Sequence, residues 1–203
     1  MAESRAHVAD LSFLRDLPLA RAAVEFASER HAGQRREADG ADFVLHPIEV
    51  AALLERSGYP DHVVAAAVLH DVLEDTDAER ADLEARFGPQ VAGLVALVSD
   101  DPSIEDEERR KDDVRERVRR AGGFASVVYA ADKISKVREL RSLIHAGVDR
   151  SQTDAKLARH RRSLAMLEQA IPGSRLVEVL RFEIEALEQL PPHTTGVRAT
   201  DTS

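Results

Sequence analysis

His70 and Asp71 stand side by side in the run VVAAAVLHDVLEDT, and the seven residues before them are all apolar. Such a run reads as a buried helix. A polar group buried there without a partner costs roughly 2–7 kcal/mol. A divalent cation compensates an imidazole and a carboxylate at once, and that pair suits Mn²⁺, Fe²⁺, Zn²⁺ or Mg²⁺. An isolated His-Asp pair is more often a core histidine hydrogen-bonded to its surroundings. Here Glu74 and Asp75 follow one turn later, and helical spacing puts Glu74 on the face of His70 and Asp71. Core filling does not explain so many ionisable groups behind one apolar run.

Asp132, in VVYAADKIS, repeats the anomaly: a carboxylate inside a helix after apolar residues. Read singly, it would be an ion-paired core acid. His46, immediately before Pro47 at a helix start, would be a capping or surface residue, and His31 on an apolar stripe a satisfied core histidine. The chain contains no cysteine, so any metal must be held by histidines and carboxylates.

These groups need a scaffold, and the sequence offers a helical one. Apolar residues recur at helical spacing almost everywhere, and strict alternation is rare. Apolar types make up 43% of the 203 residues but aromatics only 4%, so Leu, Val and Ala must fill the core. The pattern predicts an all-α domain of about eight or nine helices. They are expected near 17–32, from Pro47 to before Gly58, and from Pro60 to Asp75. A fourth is capped by Thr76 or Asp77 and stops at Gly88, and a fifth runs from Pro89 to Val98. A charged helix follows the loop after Val98, and others lie near 124–146, 151–171 and 174–190. The domain is expected over 1–190, with 191–203 a disordered tail.

The charge balance of 28 basic against 37 acidic residues, −9 net, argues against a nucleic-acid coat, though not against a small anionic ligand held by a local basic cluster. No run is long and apolar enough for a membrane span or a signal peptide, so a cytoplasmic location is expected. The oligomeric state is not legible.

In order along the chain stand Ala22 to Phe26, His31, Gly33-Gln34, Arg36, His46-Pro47, Val50-Ala51 and Ala66-Ala67. They continue with Leu69-His70-Asp71, Glu74-Asp75-Thr76, Phe87-Gly88, Val91-Ala92, Leu94-Val95 and Asp132-Lys133. This ordered set resembles the HD superfamily of metal-dependent phosphohydrolases, whose metal signature is H…HD…D. Within it, the set is most similar to the RelA/SpoT-type alarmone (ppGpp) hydrolases and their small stand-alone relatives. The resemblance implies that His46, His70, Asp71 and Asp132 hold one metal ion, Mn²⁺ first among the candidates. It implies that Glu74 and Asp75 orient or deprotonate the attacking water, and that His31 is supporting. Arg36 and Lys133 would contact a nucleotide substrate, with Lys136 and Arg138 facing the same pocket. Arg109, Arg110 and Lys111 would either add phosphate contacts or form a solvated face. The implied reaction removes pyrophosphate from the 3′ position of guanosine tetra- or pentaphosphate.

The chain departs from that pattern at Ile134-Ser135-Lys136, where the family reads Leu-His-Asn. It also departs at Tyr129, where a lysine is common, and at Asp42-Phe43, where Pro-Tyr is. These positions are expected to touch substrate, and none is a ligand. Hydrolysis of another nucleotide, or nucleotide sensing without catalysis, are the alternatives.

Overall fold

A computed structural model describes residues 11–190. The tail expected over 191–203 lies outside the described residues. Among the described residues there are nine α-helices and one short 3-10 turn, and the only extended pairing is a bridge between Arg35 and Asp42. The helices are α1 (Pro18–Arg30), α2 (Leu45–Arg56), α3 (Asp61–Leu69), α4 (Val72–Asp75), α5 (Arg80–Val98), α6 (Glu107–Ala121), α7 (Gly123–His145), α8 (Arg150–Ala170) and α9 (Arg175–Glu188). The all-α expectation holds. None of these helices is long and apolar enough to cross a membrane.

The core is one buried cluster to which all nine helices contribute. Helix α3 lies at its centre, with Val63 through Leu69 fully buried. It packs on α1, α2, α5 and α7. Its three consecutive alanines are small enough to let that many neighbours approach. The Asp61 carboxylate, at the start of α3, accepts hydrogen bonds from the backbone N–H groups of Leu19 (2.9 Å) and Ala20 (2.8 Å). Those are orphan donors at the start of α1, which opens with Pro18 and has no capping side chain of its own.

Two expectations are corrected. The helix expected to run unbroken to Asp75 ends at Leu69, turns at His70-Asp71 and resumes as the single turn α4. Adjacent residues of a continuous helix splay by about 100°. His70 (φ −60°, ψ −32°) and Asp71 (φ −94°, ψ −6°) keep right-handed helical backbone angles through the turn. The two helices expected to meet at Gly88 and Pro89 do so inside α5, whose helical backbone is interrupted at Gly88 (φ 82°, ψ 165°), a conformation that glycine tolerates. Its start is capped by Glu79 in a reciprocal pair with Asp82, rather than by Thr76 or Asp77. The charged segment forms α6 as expected. Asp106 accepts from Arg109 N (2.8 Å) at its start, and Arg119 and Arg120 close its last turn.

Candidate metal centre

Four elements meet at one point. His46 lies in the first turn of α2, His70 at the end of α3, Asp71 between α3 and α4, and Asp132 in the middle of α7. Each is only 3–4% exposed. His46 Nε2 and His70 Nε2 are 3.2 Å apart. Asp71 Oδ2 lies 3.4 Å from the first and 3.2 Å from the second. Asp132 Oδ1 lies 3.3 Å and 3.4 Å from them. Donors bound to one ion at about 2.1 Å sit about 3.0 Å apart in an octahedron and about 3.4 Å apart in a tetrahedron. These five spacings fall in that interval, and His46, His70 and Asp132 each bring a donor atom within 4.8 Å of the other two.

Hydrogen bonding sets the imidazoles for the same purpose. His70 Nδ1 lies 2.7 Å from the Ala67 carbonyl, which can only accept, so Nδ1 carries a proton and Nε2 is the atom left to face a cation. His46 Nδ1 lies 3.0 Å from Ser135 Oγ, leaving its Nε2 turned to His70. Asp132 Oδ1 is buried and receives no well-aligned hydrogen bond, although the Lys136 ammonium is 3.0 Å away. The donor set therefore fits a divalent cation.

The electrostatics agree. Burial would lower the pKa of His70, but the neighbouring Asp71 and Asp132 carboxylates outweigh it and push it up to about 10. Burial likewise opposes ionisation of Asp71 and Asp132. The His70 and Lys136 charges beside the one, and the Lys133 and Lys136 charges beside the other, hold both below the usual carboxylate range. The pocket thus favours positive charge between its two acids.

A slot of about 20 Å³ opens beside the quartet, lined by His70, Asp71, Asp132, Glu74, Lys133 and Lys136 among others. Glu74 Oε1 accepts from Asp100 N at 2.7 Å, and Lys111 Nζ is 4.0 Å from Oε2. Burial first, and then the Asp71 charge, raise the Glu74 carboxyl above its ordinary pKa. Asp75 is raised for the same reasons but does not line the slot. Lys133 donates to Asp132 Oδ2 at 2.6 Å, and its ammonium lies 4.3 Å from the centre of the Tyr129 ring.

The expected substrate residues divide into two groups. Lys133 and Lys136 border both the slot and an adjoining cavity of about 260 Å³. Arg36 and Arg138 instead line another cavity, of about 310 Å³, and both are ion-paired. Arg36 binds Asp39 and Glu49, and Arg138 binds the buried Glu183 at 2.6 Å. Of the stretch 109–111, Lys111 alone reaches the slot; Arg109 is exposed and Arg110 pairs with Asp100. His31 stays outside the quartet, with Nδ1 2.8 Å from Gln34 Oε1.

Comparison with known proteins agrees with this geometry. A sequence profile described as an HD domain matches residues 23–154.

The chain belongs to the HD-domain family.

The Drosophila melanogaster guanosine-3′,5′-bis(diphosphate) 3′-pyrophosphohydrolase MESH1 is 38% identical over 121 residues, covering 58% of this chain and 67% of that one. The Mus musculus MESH1 is 38% identical over 128 residues, covering 62% and 71%. A solved metazoan orthologue of SpoT, described as hydrolysing ppGpp, superposes with a TM-score of 0.74 at 30% identity, covering 86% of this chain and 97% of that one. The helical scaffold described above is thus an HD-type fold.

Sequence reasoning missed some of this HD-domain site. Ser135, expected at substrate, touches His46 instead. Tyr129 is hydrogen-bonded to Ser163 (2.9 Å) on α8. Helix α8 also adds Lys156, Arg159 and His160 to the wall of the 260 Å³ cavity that adjoins the slot. Burial, then the Lys133 charge, press His160 down to about 3, so it is neutral. Nothing in the local sequence of α8 marks these residues, because only packing against α7 brings them to the cavity.

Proposed function

We propose that this HD-domain protein is a divalent-metal-dependent phosphohydrolase, with Mn²⁺ the metal. Its substrate is guanosine tetra- or pentaphosphate, from which it releases the 3′ diphosphate as pyrophosphate. The observation that carries this reading is the quartet of two imidazole nitrogens and two carboxylates, in contact with a lysine-lined slot that also holds Glu74. The activities borne by the MESH1 relatives and the SpoT orthologue supply the substrate.

His46, His70, Asp71 and Asp132 hold the cation. When bound, it supplies Lewis acidity, polarising a phosphoryl oxygen and acidifying water. Glu74 takes the proton of the attacking water, and its hydrogen bond from Asp100 N fixes the direction of its carboxylate. Asp75, off the slot, has only an orienting part. Lys133 and Lys136 offset the charge that gathers on the phosphoryl oxygens. Water adds to the phosphorus that carries the 3′ oxygen, the bond to that oxygen breaks, and the 3′ oxygen takes up a proton from solvent, leaving a 3′ hydroxyl and free pyrophosphate. Arg36 and Arg138 contact substrate only if it reaches their cavity and replaces their present ion pairs.

A second reading keeps the chemistry and changes the nucleotide, because Lys136 stands where the family has asparagine. Lys136 Nζ lies 3.0 Å from Asp132 and 3.7 Å from Asp71, a cation set directly on two of the four proposed ligands. A positive charge there would favour a phosphate drawn close to the metal. The expected result with Mn²⁺ is release of pyrophosphate from guanosine tetraphosphate, at a kcat/KM well above that for common nucleoside mono-, di- and triphosphates. Turnover of one of these with the alarmone untouched would replace the substrate assignment and leave the chemistry in place. Tight alarmone binding with no turnover of any nucleotide would make the chain a sensor.

A further inference from the structure

His46 and His70 are oriented by different means. A backbone carbonyl fixes His70, whereas a chain of side chains holds His46. Arg36 Nη1 donates to Glu49 Oε1 at 2.9 Å. Ser135 Oγ donates to Glu49 Oε2 at 3.1 Å and lies 3.0 Å from His46 Nδ1. Helix spacing assembles the chain twice over. His46 and Glu49 are three apart on α2, and Asp132 and Ser135 are three apart on α7, so each helix presents one proposed ligand and one supporting group on the same face.

A hydroxyl has one proton. The Glu49 carboxylate can only accept, so it claims that proton, and Ser135 Oγ must then accept from His46 Nδ1–H. That leaves the Nε2 lone pair pointing at His70, Asp71 and Asp132. We infer that Glu49 and Ser135 are positioning residues that select the metal-binding tautomer of His46, with Arg36 anchoring Glu49 from the wall of the neighbouring cavity. The inference rests on the metal-centre reading above. It accounts for a serine where the family has histidine, since the hydroxyl can stand between a carboxylate and a ligand imidazole. Groups that orient a ligand imidazole are worth about 10–100-fold in metal affinity.

The test is Mn²⁺ titration of the full-length metal-free chain. Ser135→Ala should weaken binding about 10–100-fold, Glu49→Ala should weaken it similarly, and Ser135→Thr, which keeps the hydroxyl, should stay near wild type. In ¹⁵N-correlated NMR spectra of the metal-free chain, His46 should carry its proton on Nδ1 in wild type and shift toward Nε2 protonation in Ser135→Ala. Hydrolysis by Ser135→Ala should recover as Mn²⁺ is raised, because the lost affinity is made up by mass action. Wild-type affinity in Ser135→Ala would overturn the inference. So would equal loss in the Ala and Thr variants, which would mean packing rather than the hydrogen bond. A wild-type chain that binds no Mn²⁺ would instead overturn the metal centre beneath it.

Discussion

His70→Ala is expected to strip the chain of its divalent cation and to lower phosphohydrolase turnover by more than about 10³-fold. A single donor aimed at developing charge is commonly worth about 10²–10³ in kcat. Loss of the ion removes a larger charge from the same place, so the effect should exceed that range. His70 Nε2 sits 3.2–3.4 Å from each of the other three proposed donors, and its removal opens the quartet at a shared vertex. The variant should still fold, because Lys133 and Lys136 remain beside the two carboxylates. Thermal melts with and without Mn²⁺ check this. At a hundred times its Kd the ion should stabilise wild type by about 2.7 kcal/mol and leave the variant unmoved. Near-normal turnover without retained metal would show that the quartet is not the catalytic centre.

Glu74→Gln should separate catalysis from metal binding. The amide is close in shape and its oxygen can still accept from Asp100 N, but it cannot take a proton from water. Metal stoichiometry should stay at the wild-type value while kcat falls about 10²–10⁴-fold. The pH profile gives a second readout. Burial and the Asp71 charge hold the Glu74 carboxyl above its ordinary range, and Lys111 and Lys136 pull the other way. A base must be ionised to act, so wild-type turnover should climb with pH as Glu74 loses its proton, and the variant should lack that limb. Near-wild-type kcat with metal retained would take Glu74 out of the mechanism.

The architecture was legible because the apolar pattern is strong. Seven apolar residues before His70 announce a central helix, and Val63 through Leu69 are indeed fully buried. What the pattern could not convey is that α3 stops there. A turn of two residues with near-helical backbone angles, followed by one helical turn, keeps the local periodicity almost intact.

Side-chain direction explains the uneven reading of the substrate residues. Lys136 is four residues beyond Asp132 and so lies above it on α7, which agrees with their 3.0 Å contact. Arg138 is six beyond, about 120° around the helix, and finds Glu183 on α9 instead. Tyr129 and Lys136, seven apart, border the same cavity as helical spacing requires. Arg36 stands in a loop, where no period tells which acid it will meet; the fold gives it Asp39 and Glu49. Ser135 was legible as a departure from the family but not as a partner of His46. That contact joins residues 89 apart in sequence and exists only once α2 and α7 pack.

The central claim is that one ion sits among His46, His70, Asp71 and Asp132. Anomalous diffraction from crystals grown with Mn²⁺ tests it most directly. A single peak is expected about 2.0–2.3 Å from His46 Nε2, His70 Nε2 and a carboxylate oxygen of each aspartate. A chain that binds Mn²⁺ elsewhere, or shows no peak among these four side chains at saturating metal, would contradict it.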